Sequence, residues 1–301
     1  MVVRFLKKVL SEMHQERLEW LINKKRIKYQ RNDQENQALE RMLLSIEGRN
    51  IEVVKGSATI KITNEMEQTK DLKDAEYTCH YKWLYKQDDT FSLEERIEQR
   101  KARLYKNELV EDILVEDYNQ EIEQEIQTKE PREKVDFTYD RLAAVQYAER
   151  WWDSTNPRYK NFEVNCTNFI SQCLHAGGAS MRGYPNRSSG WWMQQNNWSY
   201  SWTVANAMRS FLTHSKIGLR AKVVTSADQL RPGDVICYDF QGDGRYDHTT
   251  FVVAKDQENM PLVNAQTYNS RMRYWSYEDS TAYTPNIQYT FFRIIDDTSS
   301  K

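Results

Sequence analysis

Proline and glycine, the residues that break and turn a chain, are spread unevenly along these 301 residues. All six prolines (Pro131, Pro157, Pro185, Pro232, Pro261, Pro285) and eight of the ten glycines lie beyond residue 130, leaving Gly48 and Gly56 before it. Such residues punctuate turns and element ends, so the chain changes character near 130. Seven of the nine tryptophans also fall in the later part. At roughly 100–200 residues per domain the chain is long enough for two. The expected organisation is an N-terminal domain over 1–130, a linker over 131–137 and a C-terminal domain over 138–301.

Composition limits the classes of function. Forty-two Lys+Arg against 44 Asp+Glu leave a net charge of −2, too balanced to advertise a nucleic acid or an acidic lipid surface as a partner. With 29% charged and 39% hydrophobic residues the chain is polar but has the material for a core, which disfavours wholesale disorder. No run of about 18 apolar residues occurs, and Glu12, His14, Gln15 and Glu16 interrupt the basic start before it reaches signal-peptide length. Neither membrane insertion nor a secretion segment is expected, which makes the cytoplasm the expected location and the developing spore the alternative. The four cysteines, Cys79, Cys166, Cys173 and Cys237, contain no CxxC pair and no Cys/His spacing of the metal-binding kind, so free thiols are expected rather than a disulfide scaffold or a zinc site.

Within the first 130 residues, apolar positions recur every three to four residues from Val2 to about Leu44, interrupted near Asn32. That period predicts two amphipathic helices or one long broken one. Segments rich in β-branched and aromatic residues, Asn50–Thr63, Glu76–Gln87 and Arg103–Glu116, read as antiparallel strands. Phe91–Tyr105 is expected to begin as a short helix capped at Ser92, with Glu95 at its third position. Cys79 and His80 are neighbours in a strand, so they should point to opposite faces, as packing and surface residues. The acidic run Glu121–Glu133 reads as a solvated helix end and linker. This half is therefore α+β and carries no recognisable active-site signature.

The chemistry is concentrated later. A helix is expected from Asp140 to Trp152, and a second beginning at or just after Cys166, with apolar spacing at Phe169, Ile170, Cys173 and Leu174 and a Gly177-Gly178 stop. A cysteine at a helix start meets unpaired N–H groups and the positive dipole end, which stabilise a thiolate and can receive an oxyanion. Arg231–Phe240 reads as a turn into a strand, Gln241–Asp247 as a turn-rich connection, and His248–Ala254 as a second strand. Met260–Thr267 would be a third, with Asn264 beside His248 if the strands pair antiparallel. Cys166, His248 and a polar amide thus arrive in the order, and on the elements, needed for nucleophile, base and orienter.

The segments around Asn165-Cys166-Thr167-Asn168-Phe169, Arg231-Pro232-Gly233-Asp234, Gly242-Asp243-Gly244-Arg245-Tyr246-Asp247-His248 and Pro261-Leu262-Val263-Asn264-Ala265-Gln266-Thr267 together resemble the amidase-like domain family of spore-forming Gram-positive bacteria. That family is a branch of the papain-like superfamily that includes NlpC and CHAP cell-wall amidases and peptidases. The likeness spans about residues 138–296. It implies a papain-like C-terminal domain, with a nucleophile helix packed on an antiparallel sheet, next to a separate N-terminal α+β domain. It also implies Cys166 as nucleophile, His248 as general base and later acid, and Asn264 as the residue that orients the imidazole. The family pattern has Asp where this chain has Asn165, and often His-Thr-Asn where it has Gln266-Thr267-Tyr268. The third position therefore stays open between Asn264 and Gln266, which share a strand face; Asn264 is preferred because it precedes Ala265.

The expected activity is cysteine-dependent hydrolysis of a peptide or peptidoglycan-type amide through a thioester, requiring no metal or cofactor. Asn165 and the Cys166 amide would hold the oxyanion, and Gln266, Trp191 and Trp192 would face substrate. The alternative is a catalytically inactive module that binds glycan or peptide through the tryptophan-rich stretch Trp191–Trp202, a stretch that also suits core and cover for a small sheet. Asp239, Asp243 and Asp247 are spaced like part of a calcium loop, but Thr250 stands where the bidentate Glu is needed, so a polar turn is preferred. His175 and His214 are read as surface or packing residues.

Overall fold

The computed structural model describes residues 2–23, 32–69, 71–106, 108–115, 136–194 and 196–298. The acidic run Glu121–Glu133 and most of the expected linker lie outside the described residues. In chain order the main elements are α1 (Val2–Asn23), α2 (Asp33–Gly48), β1 (Glu52–Glu67), β2 (Leu72–Gln87), β3 (Thr90–Tyr105), β4 (Glu108–Leu114), α3 (Arg141–Trp151), α4 (Cys166–Ala176), β5 (Met193–Gln194) and β6 (Asn197–Trp198). They continue as α5 (Tyr200–Thr203), α6 (Ala205–His214), β7 (Arg220–Val224), β8 (Val235–Asp239), β9 (His248–Lys255), β10 (Pro261–Ala265), β11 (Ser270–Tyr274) and β12 (Gln288–Ile295). The chain divides into two compact α+β units: Met1–Asp117 with Tyr268–Met272 and Tyr277–Thr281, and Tyr118–Thr267 with Arg273–Ser276 and Ala282–Lys301. Two short segments late in the sequence thus belong to the first unit, which an organisation into consecutive domains does not provide for.

In the first unit the expected helical period resolves into two helices. The second is started by Asn32, whose Oδ1 accepts the Glu35 amide at 2.8 Å. Leu6, Leu10, Met13, Leu18 and Leu21 of α1 and Leu39, Met42 and Ile46 of α2 form one core with Tyr77, Cys79, Tyr81 and Trp83 of β2. Strands β1 to β4 pair antiparallel in sequence order. The expected helix from Ser92 is instead strand β3, aligned with β2 from Gln87↔Thr90 to Leu72↔Tyr105. The reason lies in its charges. Arg100 points into the core, where its fully buried guanidinium meets Glu35 at 2.9 Å, Glu98 at 2.7 Å and Asp112 at 2.6 Å. A charged residue on the inner face hides the alternation by which a strand is read. Glu95, the expected capping residue, instead binds Lys82 at 2.8 Å, His80 at 2.9 Å and Arg271 at 3.0 Å.

In the second unit the sheet runs β10-β9-β8-β12-β7, with antiparallel neighbours. α3 begins at Asp140, whose Oδ1 accepts the Ala143 amide at 2.9 Å. Asp234 of the Arg-Pro-Gly-Asp turn is a tie between elements: it takes Arg141 Nη1 at 2.7 Å, the Arg231 amide at 2.8 Å and the Ile294 amide at 2.9 Å. α4 is buried along its length from Cys166 to Leu174 and ends at the predicted stop. The Gly177 amide donates to Cys173 O at 3.1 Å, and Gly178 sits at φ +99°. Among the described residues no helix is long and apolar enough to cross a membrane.

Candidate active site

Cys166 is the first residue of α4 and is 1% exposed. Its Sγ lies 3.7 Å from Thr167 Oγ1, and Thr167 Oγ1 lies 3.2 Å from Thr249 Oγ1 on β9. Burial pushes the thiol above its ordinary range, while hydrogen bonds from Thr167 and from the Thr249 hydroxyl and amide act the other way. The thiol is therefore protonated at neutral pH. Cys173 and Cys237 are buried thiols raised still more firmly by burial.

His248 opens β9 opposite Tyr238 of β8, and Thr249 pairs with Cys237. Alternation along the strand turns Thr249 toward α4 and His248 to the other face. There the imidazole meets Tyr238 at 5.7 Å and stacks on Phe240 at 6.3 Å, centroid to centroid. Burial first, and the Arg273 guanidinium second, push its pKa down to about 3. The imidazole is neutral at neutral pH, but a pKa so far below it makes the ring a weak proton acceptor, and it does not share a face with Cys166.

The amides lie elsewhere than expected. Asn264 pairs with Phe251, three residues along from His248, so alternation sets it on the face opposite His248. Its Nδ2 donates to Glu149 Oε1 at 2.8 Å on α3. Gln266 holds the start of α4: its Oε1 accepts from Asn165 Nδ2, and its own Nε2 donates to Trp151 O and, at 2.8 Å, to Ser154 O. Asn165 Oδ1 accepts from Asn168 Nδ2 at 2.8 Å and from the Phe162 amide at 3.1 Å. Asn165 is thus a helix-start brace, with both ends of its amide engaged within the protein.

One contact has no counterpart in the sequence reading. Thr267 Oγ1 accepts from the Asn165 amide at 2.8 Å and from the Cys166 amide at 3.1 Å. Its backbone stands at φ +82°, an outlier for a β-branched residue that costs about 1–3 kcal/mol. No local pattern announces such a residue. The only sequence signal is a hydroxyl placed directly after Gln266.

The expectation that Trp191 and Trp192 face substrate is corrected, because both are fully buried. Trp191 Nε1 donates to Ser171 Oγ at 2.9 Å and Trp202 Nε1 to Asn168 Oδ1 at 2.8 Å. Their aromatic bulk and single donors buttress α4 instead of stacking on a ligand. In the Asp239–Asp247 turn, Asp239 accepts the Gly242 and Gly244 amides at 2.7 Å. Asp247 is pushed up to about 6 by burial, with Asp239 and Asp243 adding to the rise. Among the described residues no group of three or more His, Cys, Asp or Glu is arranged to hold a metal ion. His175 Nδ1 bonds Ala179 O and His214 Nδ1 bonds Ser210 O, each at 2.8 Å.

A family model described as "Putative amidase domain" matches residues 138–292, the stretch that carries all of these residues. Over 312 aligned residues the chain is 52% identical to "Uncharacterized protein YhbB" of Bacillus subtilis (strain 168), covering 98% of each. It is 29% identical to "Uncharacterized protein YjcM" of the same organism over 143 residues, 44% of this chain and 32% of that protein. No solved structure matches.

Proposed function

The chain belongs to the amidase-domain family that matches residues 138–292, and we propose that it is a cysteine-dependent amide hydrolase acting on a peptide or peptidoglycan-type amide. The observation that carries this reading is the Cys166 thiol, set at the start of a buried helix against Thr249, the residue that follows His248. In the proposed reaction the Cys166 sulfur attacks the amide carbonyl; His248, the expected base, faces away from α4 in this structure, so its taking the Cys166 proton requires the start of β9 or of α4 to re-orient. The tetrahedral oxyanion is received by the backbone amides at the start of α4. The C–N bond then breaks as His248 returns the proton to the leaving amine, and water hydrolyses the thioester. The helix and sheet of the second unit support a papain-like arrangement. In this reading Asn264 braces α3 and Gln266 braces the start of α4. The proposed place of action is the cytoplasm, with the developing spore as the alternative.

Activity of the full chain on peptidoglycan fragments, γ-glutamyl peptides and simple peptide amides tests the proposal. Cys166→Ala is expected to lower turnover by about three orders of magnitude or more, and His248→Ala to do the same; retained turnover in Cys166→Ala sinks the cysteine mechanism. A second reading, binding without catalysis, is favoured by one observation: the Cys166 amide is already bonded to Thr267. It predicts that the parent protein binds such fragments without consuming them.

A further inference from the structure

We propose that Thr267 is a positioning residue for Cys166: its hydroxyl occupies the two backbone amides at the start of α4 and keeps the thiol unreactive until the side chain moves aside. The catalytic consequence rests on the hydrolase reading above, whereas the effect on the thiol does not. Amides at the start of a helix are the donors on which a thiolate or an oxyanion draws, and those of Asn165 and Cys166 both donate to Thr267 Oγ1, at 2.8 and 3.1 Å. A neutral hydroxyl there satisfies the donors while adding no negative charge at the positive end of the helix.

The backbone shows that the hydroxyl is what this position retains. At φ +82° a glycine would sit without strain, whereas threonine holds the conformation only because its neighbours impose it. Before it, Gln266 is bonded to Trp151 O and Ser154 O. The residue is thereby held from its N-terminal side.

The groups hydrogen-bonded to the thiol are uncharged. Thr167 and Thr249 contribute hydroxyls, Cys237 on β8 is a protonated thiol with Arg209 of α6 near it, and His248, one residue from Thr249, is neutral. Freeing the two amides is therefore expected to favour the thiolate and lower the pH at which it forms.

The test is the pH profile of Cys166 alkylation by iodoacetamide in the full chain, read on the Cys166 peptide by mass spectrometry. The parent is expected to react appreciably only at strongly alkaline pH, because burial raises the thiol. In Thr267→Ala the profile moves down by about one pH unit, roughly a tenfold faster reaction at pH 8, while Thr267→Ser superimposes on the parent. Thr267→Gly removes the hydroxyl on a relaxed backbone and gives the same shift, so the result is readable even if the alanine variant fails to fold. Profiles for Thr267→Ala and Thr267→Gly that coincide with the parent overturn the proposal, as does a shift in Thr267→Ser as large as theirs. A shifted profile with no amide hydrolysis by any of these proteins supports the positioning role and overturns the hydrolase reading instead.

Discussion

At the scale of single residues, burial dominates the chemistry of the site. An exposed histidine takes its proton near 6.5, whereas native His248 resists protonation down to about 3. Between those values the unfolded chain binds a proton that the native state refuses. The stability associated with His248 is thus fully present above about pH 6.5 and is lost as pH falls toward 3, at about 1.4 kcal/mol per pH unit. Urea unfolding of the parent and of His248→Gln between pH 7 and 4 checks this. The parent is expected to lose stability faster on acidification, and parallel curves would show that His248 is not the group responsible. The same burial holds the Cys166 thiol protonated.

At the scale of elements, α4 is the piece on which the site is built, and its end is as constrained as its beginning. A methyl group at Gly177 would come within 2.4 Å of Tyr139 Cε2 and 3.0 Å of Asp140 O. Gly177→Ala is therefore expected to destabilise the protein by about 1–3 kcal/mol. Gly48→Ala, at the end of α2 where nothing lies within 4 Å, is expected to be neutral or stabilising by up to about 1 kcal/mol. Thermal unfolding of the two variants side by side measures the contrast, and equal losses would remove the packing argument. The helix itself was legible in the sequence, because its apolar spacing and Gly-Gly stop are local signals. β3 was not. Its Ser92 and Glu95 imitate a helix cap, and its inward-facing Arg100 breaks the period-two pattern. Only pairing with β2, and the carboxylates of Glu35 and Asp112 from outside the strand, make the strand the better solution.

At the scale of the whole molecule, the first unit is organised around charges that its core has to satisfy. Arg100 is joined there by Arg17, whose Nη1 binds Glu98 at 3.0 Å. His14 bonds the hydroxyls of Tyr77, at 2.8 Å, and Tyr81. A buried network of this kind tolerates removal of one member poorly, because the remaining charges stay buried and unpaired. Arg100→Ala is expected to cost about 3–5 kcal/mol in the unfolding of this unit, read as a shift of its urea transition. A loss below about 1 kcal/mol would mean that the three carboxylates are relieved by water. In the second unit the corresponding cohesion comes from tryptophans. Their clustering is plain in the sequence and reads equally well as a ligand platform, but Trp191, Trp192 and Trp202 are fully buried, and Trp191 and Trp202 bond side chains of α4.

Much of the second unit is written in short-range terms. The Asp140 cap, the helix that starts at Cys166, the strand that starts at His248 and the order of the amidase motifs each depend on residues a few positions apart. The amino-acid sequence therefore carries them without help. The roles of individual side chains are long-range properties. Thr267 meets Cys166 from 101 residues away, Glu35 meets Arg100 from 65, and Asn264 is turned to α3 by the register of β10 on β9. Which face a residue shows, which amide is occupied and which acid or thiol keeps its proton follow from what is packed against it, and no spacing along the chain encodes that.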